Sequence, residues 1–572
     1  MATQLFKRAI AKPLSKLTQV NEKHIIKNLQ TPKIQLQHQF GLPVPKLLPE
    51  GQKNAVAYSQ ELAGKFEPNT YIEKATAVGP FLQFDVRPSE YIKSTLTQVL
   101  KEKDKYGCHT LPEKKTVIID YSSPNIAKPF HAGHLRSTIL GNFIKRIHDA
   151  NGYHTIGINY LGDWGKQYGL LAIGFEMFGE EGELEKDPIH HLYEVYVKIN
   201  ALAKDDTEID KRANAYFKKM EQGDETALIQ WRRFRELSID SYKQIYKRLN
   251  IDFDYFSGES QTESYIPKVY EMLNKYGLME TTDDGASIVN LEAYKLGKPI
   301  IQRADGTSLY MTRDIASILL RRQLFGDFDK SVYVVGIEQE LYLKQLFKIS
   351  ELINHHDPSW PTDLYHANFG RVMGMSTRKG TVVFLQDILD TAQEHMLENI
   401  KNGNQFKMDE LDDLNNVADK LGASAVLVQD MVAKRLKNYQ FSWDRMTSAR
   451  GYTGVYLQYT HARLCGIERN SNISFDMDAD TSLLKEKEAF ELALTISQLP
   501  DITQSACQTM DPCILVQYLF KLAHVTSQAN NILRVKGADT KTAEARLLLF
   551  WAAKTTLANG LNLLGIDPLN RM

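Results

Sequence analysis

Hydrophobic positions along the chain pass through three regimes. Over residues 1 to about 110, short apolar patches of mixed period are broken by Gly41, Pro43, Pro45 and Pro49, which mark a loop, and Tyr71 to Val86 alternates as a hairpin turning at Gly79 and Pro80. A small α+β unit is predicted there. From Thr116 to Ile119 a β-branched apolar run predicts a short buried strand, which stops at the polar, proline-containing segment Ser122, Ser123, Pro124, Asn125. Leu135, Ile139, Phe143 and Ile147 then recur at helical spacing, and Pro129 falls at or before the start of that helix, where its missing N–H is harmless. His154 to Tyr160 supplies another strand. Strand, helix and strand within about forty residues predict a parallel crossover, the unit of a doubly wound sheet.

The middle regime continues with a charged helical stretch from Phe175 to Leu249, in which Leu192, Val195, Tyr196 and Ile199 keep a helical period. It reads as an insertion between two halves of the sheet. A helix after Gly306, Thr307 and Ser308 carries Tyr310, Arg313, Asp314 and Ile318, and Val332 to Val335 is a further buried strand, with Glu338 and Gln339 just past its carboxyl end. Beyond about residue 395 the pattern is almost continuously helical. The predicted fold is α/β at its centre. An α+β domain over 1–110 precedes a Rossmann-like domain over 111–395, with its helical insertion around 175–250, and an all-α domain over 396–572 follows.

Composition changes this picture at a few points. A length of 572 residues exceeds a single core, and two to four domains are expected. With 43% hydrophobic and 24% charged residues the chain has a globular composition, and its longest strongly apolar run, Leu547 to Ala553, is far too short to cross a bilayer. No membrane partner is expected. Net charge is −1, so any RNA-binding surface must be a local patch. Met431 to Asn470 provides one, with seven Lys or Arg against two acids and six aromatics among them. Cations hold phosphates while aromatics stack bases at about 1–3 kcal/mol each. Aromatics at helical spacing are more often core, and Trp443 and Tyr459 also fit that reading. Cys108, Cys465, Cys507 and Cys513 are scattered without a C-x-x-C pair, which predicts free thiols in a reducing compartment. At the N-terminus Lys7, Arg8, Lys12 and Lys16 precede the first acid, Glu22, and Leu5, Phe6, Ala9 and Ile10 form one apolar face. A mitochondrial transit peptide and the first helix of a folded domain both fit that pattern.

The strongest chemical signal is Asp120 to Phe143, DYSSPNIAKPFHAGHLRSTILGNF, where a strand passes through a loop into a helix start. Free N–H groups and the positive dipole end there favour phosphate. His131 and His134 lie three apart on one side of the first turn, and Gly133 lets a base or ribose approach the backbone. Such a pair can donate to phosphate, share a zinc ion or be merely solvated, and alone it is weak evidence. Glu259, Tyr310, Asp314 and Gln339 could converge where open α/β sheets bind ligands. Carboxylates and neutral acceptors suit a guanidinium, which has five donors and no acceptor. Taken singly, each is as readily a surface ion pair or a solvated loop residue. Phe369 to Gly380, FGRVMGMSTRKG, is a glycine-flanked basic segment of loop composition.

In order along the chain these strings resemble the class I aminoacyl-tRNA synthetases, and among them the arginyl-tRNA synthetases of eukaryotic type. His131, Ala132, Gly133 and His134 are similar to the first class I signature, and the longer SSPNIAKPFHAGHLRST is similar to its arginyl form. NYLGDWGKQYGLL, YFSGES, DGTSLYMTRD, EQE, TGVYLQYTHARL and the C-terminal LLGI and RM resemble that family as well. Met375 and Ser376 match the second signature, K-M-S-K-S, but Gly374 and Thr377 stand where it has lysines, leaving Arg378 and Lys379 displaced along the loop.

The resemblance implies an arginine–tRNA ligase that uses ATP, with magnesium held mainly through it, to form arginyl-adenylate and charge tRNA(Arg). It implies a monomer working in the cytoplasm, the mitochondrion or both. ATP is then expected at His131, Gly133, His134, Met375 and Ser376, with Lys128, Arg378 and Lys379 joining the histidines in catalysis. Arginine is expected at Ser123, Pro124, Asn125, His134, Glu259, Tyr310, Asp314 and Gln339. For tRNA the positions are Tyr452, Tyr456, Gln458, Tyr459, His461 and Arg463, in an anticodon-binding domain, while residues 1–110 touch the tRNA elbow. A cysteinyl, glutaminyl or glutamyl enzyme would share the nucleotide site, but the cysteinyl type should show zinc-ligand cysteines. A small-molecule nucleotidyltransferase would not need the basic, aromatic helices.

Overall fold

The structure, a computed structural model, describes residues 2–30, 39–49, 53–126, 132–374, 384–402, 413–448 and 451–572. Its N-terminal unit contains helices α1 (Ala2–Thr18), α2 (Glu22–Asn28), α3 (Ala55–Lys65) and α4 (Pro88–Glu102) around strands β1 (Gln39–Pro43), β2 (Ile72–Val78) and β3 (Phe81–Val86). The strands form an antiparallel sheet in the order β1-β3-β2. The β2–β3 hairpin turns at Gly79, with φ of +56°, and Pro80, as its sequence predicts. Gly41 and Pro43, read from the sequence as loop, instead belong to β1. That strand is at the sheet edge, where a proline need not break the ladder.

Residues 2–18 form the first helix of this folded unit. Phe6, Ile10, Ala11 and Leu14 are buried, and the Phe6 ring meets those of Tyr71 and Tyr91 at centroid distances of 5.2 and 4.7 Å. Pro13 sits inside α1 without ending it. The unit also docks on the far end of the chain. The Tyr91 hydroxyl lies 2.8 Å from Ser497 Oγ, and the Tyr106 hydroxyl donates to the Ile496 carbonyl at 2.9 Å.

The central domain follows the predicted crossover logic. β4 (Thr116–Asp120), α5 (Ala132–Ala150) and β5 (His154–Leu161) come first, then five inserted helices: α6 (Lys166–Phe178), α7 (Glu181–Lys186), α8 (Pro188–Asp205), α9 (Thr207–Glu221) and α10 (Glu225–Arg248). The chain returns through β6 (Tyr255–Gly258), α11 (Ile266–Lys275) and a small antiparallel sheet of β7 (Glu280–Thr281), β8 (Ser287–Ile288) and β9 (Ile300–Gln302). It continues with α12 (Tyr310–Phe325), β10 (Lys330–Tyr333), α13 (Glu340–His356) and β11 (Leu364–His366). The five long-range strands are parallel, in the order β11-β10-β4-β5-β6. Ile118, Ile119 and Val332 at its centre are fully buried. Connections run one way from β4 to β6 and the other way from β10 to β11. The order therefore switches between β4 and β10, and a crevice opens beyond their carboxyl ends.

β12 (Val372–Met373) leaves this sheet and pairs in parallel with β13 (Tyr439–Gln440). Between them lie α14 (Leu385–Asn402) and α15 (Leu414–Met431), and after them α16 (Trp443–Met446), α17 (Gly454–Asn470), α18 (Lys487–Ile496), α19 (Leu499–Thr509), α20 (Cys513–Ile532) and α21 (Thr540–Leu563). Side chains of Asp413, Ser442, Thr453 and Asp539 cap α15, α16, α17 and α21, satisfying N–H groups that a helix start leaves free. All four cysteines are free thiols. Among the described residues no helix is long and apolar enough to cross a membrane.

Phe6→Ala should cost about 3–5 kcal/mol by emptying a buried aromatic site. Denaturant melts would show the N-terminal unit unfolding earlier. Superimposable melts would mean that α1 adds nothing to the core.

Candidate active site

Beyond the carboxyl end of β4 the backbone turns sharply. Ser122 and Ser123 both take positive φ, +70° and +49°, a conformation that costs of order 1–3 kcal/mol for a residue with a side chain. Hydrogen bonds from four other places hold it. The Ser122 N–H donates to Ser137 Oγ at 2.9 Å and the Ser123 N–H to Asn159 Oδ1 at 3.1 Å. Ser122 Oγ accepts from Thr138 Oγ1 and lies against the Tyr246 hydroxyl, both at 2.7 Å. Ser123 Oγ donates to Asp120 Oδ1 at 3.0 Å.

Against this turn lies a cavity of about 450 Å³, with Ser123, Gly133, His134, Gly336 and Gln339 among its walls. It sits at the switch point and at the N-terminal turn of α5, where N–H groups and the helix dipole favour an anionic ligand. Ser123, Gly133, His134 and Gln339 thus line one cavity. Pro124 and Asn125 lie behind them, in a parallel bridge to Gly162, whose N–H donates to the Pro124 carbonyl at 3.2 Å. Lys128, His131, Met375, Ser376, Arg378 and Lys379 lie outside the described residues.

The acidic candidates occupy a separate, closed region. Glu259 follows β6, and its carboxylate pairs with Arg313 Nη1 at 3.2 Å, both side chains being 15% exposed. Asp314, in the first turns of α12, accepts a hydrogen bond from the Tyr342 hydroxyl. Burial pushes the Glu259 carboxyl up to about 7, with Arg313 opposing and Asp314 adding to the shift. Burial likewise pushes Asp314 up to about 6, against the Tyr342 hydrogen bond and the Arg321 charge. Beneath both, Asp120 pairs with the buried Arg321, whose guanidinium lies 5.0 Å from the Tyr333 ring centroid. Tyr310 opens α12 one turn before Asp314 and is 67% exposed.

Asp163, which in the sequence stood only within the family-like string NYLGDWGKQYGLL, is a positioning residue. It is fully buried, receives Arg235 Nε at 2.7 Å and accepts both the N–H and the hydroxyl of Ser260 at 2.9 Å. Burial pushes its carboxyl up despite these donors. A Cβ on Gly258 would fall 2.1 Å from Asp163 Oδ2, so only glycine lets the chain pass and present Glu259. Arg136 is the other residue missed. It lines the cavity and reaches from α5 into the segments around β12 and β13.

In the helical domain the six RNA candidates divide by helix face. Tyr452 is 75% exposed and meets the Phe520 ring edge-on at 4.9 Å. Tyr459 and Arg463 line a cavity of about 570 Å³ together with Arg469, Arg534, Lys536 and Met572. Tyr456 is half-buried. Gln458 and His461, expected to face RNA, are buried instead. Gln458 Nε2 donates to Ser424 Oγ and the Asp567 carbonyl, its Oε1 accepts the Leu569 N–H, and His461 Nδ1 lies 2.9 Å from the Leu569 carbonyl. They share the face of α17 that holds down the C-terminal segment.

A doubly wound sheet with a cavity at its switch point, continued into a helical domain with a cationic cavity, is the build of a class I aminoacyl-tRNA synthetase. The sequence family described as tRNA synthetases class I (R), catalytic domain, matches residues 95–443, and that described as DALR anticodon binding domain matches residues 457–572. The chain belongs to that class. A Dictyostelium discoideum protein named probable cytoplasmic arginine–tRNA ligase is 45% identical over 99% of this chain and 100% of its own length. The cytoplasmic and mitochondrial arginine–tRNA ligases of Saccharomyces cerevisiae are 44% and 42% identical, over 99% and 98% of this chain and 95% and 88% of their own lengths. The crystal structure of Plasmodium falciparum arginyl-tRNA synthetase has the same fold, with a TM-score of 0.79 at 23% identity over 98% of this chain and 99% of that one. This chain is a member of the arginine–tRNA ligase family, an aminoacyl-tRNA ligase.

Gly258→Ala should lower stability by about 1–3 kcal/mol through overpacking against Asp163. An unshifted unfolding midpoint would show that Asp163 yields freely.

Proposed function

We propose that the switch-point cavity and the adjoining carboxylates form arginyl-adenylate from L-arginine and ATP, and that the arginyl group then passes to the terminal ribose of tRNA(Arg). The observation that carries this reading is a switch-point cavity walled by Ser123, Gly133, His134 and Gln339, linked to the buried acids through Asp120, which accepts from Ser123 Oγ and acts electrostatically on Asp314. The cavity suits the reacting phosphate and carboxylate, and the acids suit a guanidinium. Full-length kinship with arginine–tRNA ligases supports it.

Activation asks little covalent chemistry of the protein. The arginine carboxylate attacks the α-phosphate in line and pyrophosphate leaves, so the rate depends on alignment and on charge stabilisation. His134 and the α5 N-terminus address the ATP side, with His131, Lys128, Arg378 and Lys379 assigned to the phosphates by sequence. Ser123, Asn125 and Gln339 are assigned to the amino and carboxyl groups of arginine. Magnesium enters with ATP. Among the described residues no cluster of three or more His, Cys, Asp or Glu side chains could hold a metal ion.

We assign the cavity around Tyr459, Arg463, Arg469, Arg534, Lys536 and Met572 to anticodon nucleotides, its cations for phosphate and Tyr459 for stacking. Residues 1–110 are assigned to the tRNA elbow. The enzyme acts as a monomer, since one chain supplies both the chemical and the RNA surfaces. It works in the cytoplasm, the mitochondrion or both.

Exchange of labelled pyrophosphate into ATP tests the reaction, run with and without total tRNA and with arginine, lysine, glutamine or cysteine. Exchange is expected with arginine alone. Failure with every amino acid in the presence of tRNA would leave an RNA-binding protein without activation chemistry. Asp314→Asn removes a charged acceptor worth about 1.5–3 kcal/mol and should raise the arginine KM about 10- to 100-fold. The ATP KM should stay put. An unchanged arginine KM would take Asp314 out of the subsite.

A further inference from the structure

The carboxylates assigned to the substrate guanidinium are not open to the cavity. Protein groups already sit on them: the Arg313 guanidinium on Glu259 at 3.2 Å, and the Tyr342 hydroxyl on Asp314. Arg313 is therefore chemically the same group as the side chain that the subsite is built to take. Its hold is incomplete. Only Nη1 contacts Glu259, and among the described residues its buried Nε has no hydrogen-bond partner, so the fork that makes guanidinium–carboxylate pairs strong is not used in full.

α12, which carries Arg313, packs against the 3-10 turn that carries a second acceptor. Glu263, one helical turn beyond Glu259 in consecutive 3-10 turns, has a buried Oε2 without a hydrogen-bond partner among the described residues. Arg313 is electrostatically close to this neighbourhood, because its charge acts on Glu221, on which Glu263 also acts, and on Tyr270 together with Glu263. A cation held by one hydrogen bond, next to an unpartnered buried carboxylate oxygen, has two resting places of similar chemistry.

We propose that Arg313 is an internal stand-in for the substrate, which covers Glu259 in the free enzyme and moves to Glu263 when arginine arrives. The inference rests on the arginine reading of this site. In the free state the stand-in keeps the buried Glu259 paired, and an unpaired buried charge is avoided. On binding, the incoming guanidinium takes Glu259, and Arg313 satisfies Glu263. Every arginine that binds must then displace Arg313, so the stand-in lowers affinity by the strength of its own pairing. Arg313 is a positioning residue in this scheme, not a catalytic one.

Calorimetric titration of L-arginine into the full chain tests the scheme without requiring activation. Arg313→Gln should tighten arginine binding about three- to tenfold, the worth of one partly buried ion pair. Glu263→Gln should weaken binding by a similar factor, because the displaced Arg313 loses its second site. In the double variant the Glu263 effect should vanish, since Glu263 matters only through Arg313. Weaker or unchanged binding in Arg313→Gln, or a Glu263 effect that persists in the double variant, overturns the scheme. Should Arg313→Gln fail to fold, Arg313→Lys carries the test, with binding tighter than that of the unaltered chain expected and equal or weaker binding overturning it. Unaltered protein that binds no arginine would sink the functional reading and this scheme together, whereas normal binding with unmoved variants would sink this scheme alone.

Discussion

Arg136 reaches from α5 into a space without solvent contact, where its Nη1 donates to the carbonyls of Gly370 at 2.5 Å and Lys437 at 2.9 Å. Tyr439 and Phe369 lie 5.1 and 6.0 Å from its centre, and Asp430 approaches Nε at 3.4 Å. Burial pushes the Asp430 carboxyl up to about 6, with Arg136 opposing that shift. A dehydrated pair of this kind adds little net stability, yet losing one partner costs about 3–5 kcal/mol because the other is stranded. Its value is geometric. One side chain ties the nucleotide helix to the strand leading into the second-signature segment and to the first part of the helical domain. Gly370 lies so close to Lys437 that a Cβ there would fall 2.6 Å from its carbonyl carbon.

The same economy appears at the strained serines. Ser122 and Ser123 are held in positive φ by Ser137 and Thr138 of α5, Asn159 of β5 and Tyr246 near the end of α10. Two residues after Tyr246, Arg248 pairs with Asp390 of α14 and Asp419 of α15, both at 2.6 Å, and the Asn250 amide donates to Asp567 at 2.8 Å. The carbonyl of Asp567 in turn accepts from Gln458 of α17. The end of α10 therefore touches both the floor of the chemical site and the segment that closes the helical domain. Strain in the serine turn persists because elements from distant parts of the chain over-determine it.

Local physics made much of this legible. β4, α5 and β5 were readable because a β-branched run, a proline-marked loop and a 3.6-residue period stand in sequence, and each signal is decided by neighbours in the chain. The β2–β3 hairpin was readable from Gly79 and Pro80. What stayed hidden depended on partners far away in sequence. Pro43 lies in a strand only because that strand is an edge, and Gln458 and His461 turn inward only because the C-terminal segment lies across α17. From the sequence, Asp314 next to it was an open partner for Arg313, and the structure pairs Arg313 with Glu259 instead. That Glu259 is the partner needed the position of β6 in the sheet, which no local pattern encodes.

The charges around the subsite explain what it lacks. Three carboxylates, Asp120, Asp314 and Glu259, face two guanidiniums, Arg321 and Arg313, and Asp314 has only the Tyr342 hydroxyl beside it. Burial raises both Glu259 and Asp314 toward neutrality. On the proposed reading, a ligand bringing one delocalised cation with several planar donors supplies charge and donors to these acceptors. An ammonium of equal charge brings three donors on a single point and leaves buried oxygens unpaired. On the proposed arginine reading, unpaired acceptors rather than missing charge would supply the discrimination, and polar sites of that kind reach about 10⁴ without a second checking step.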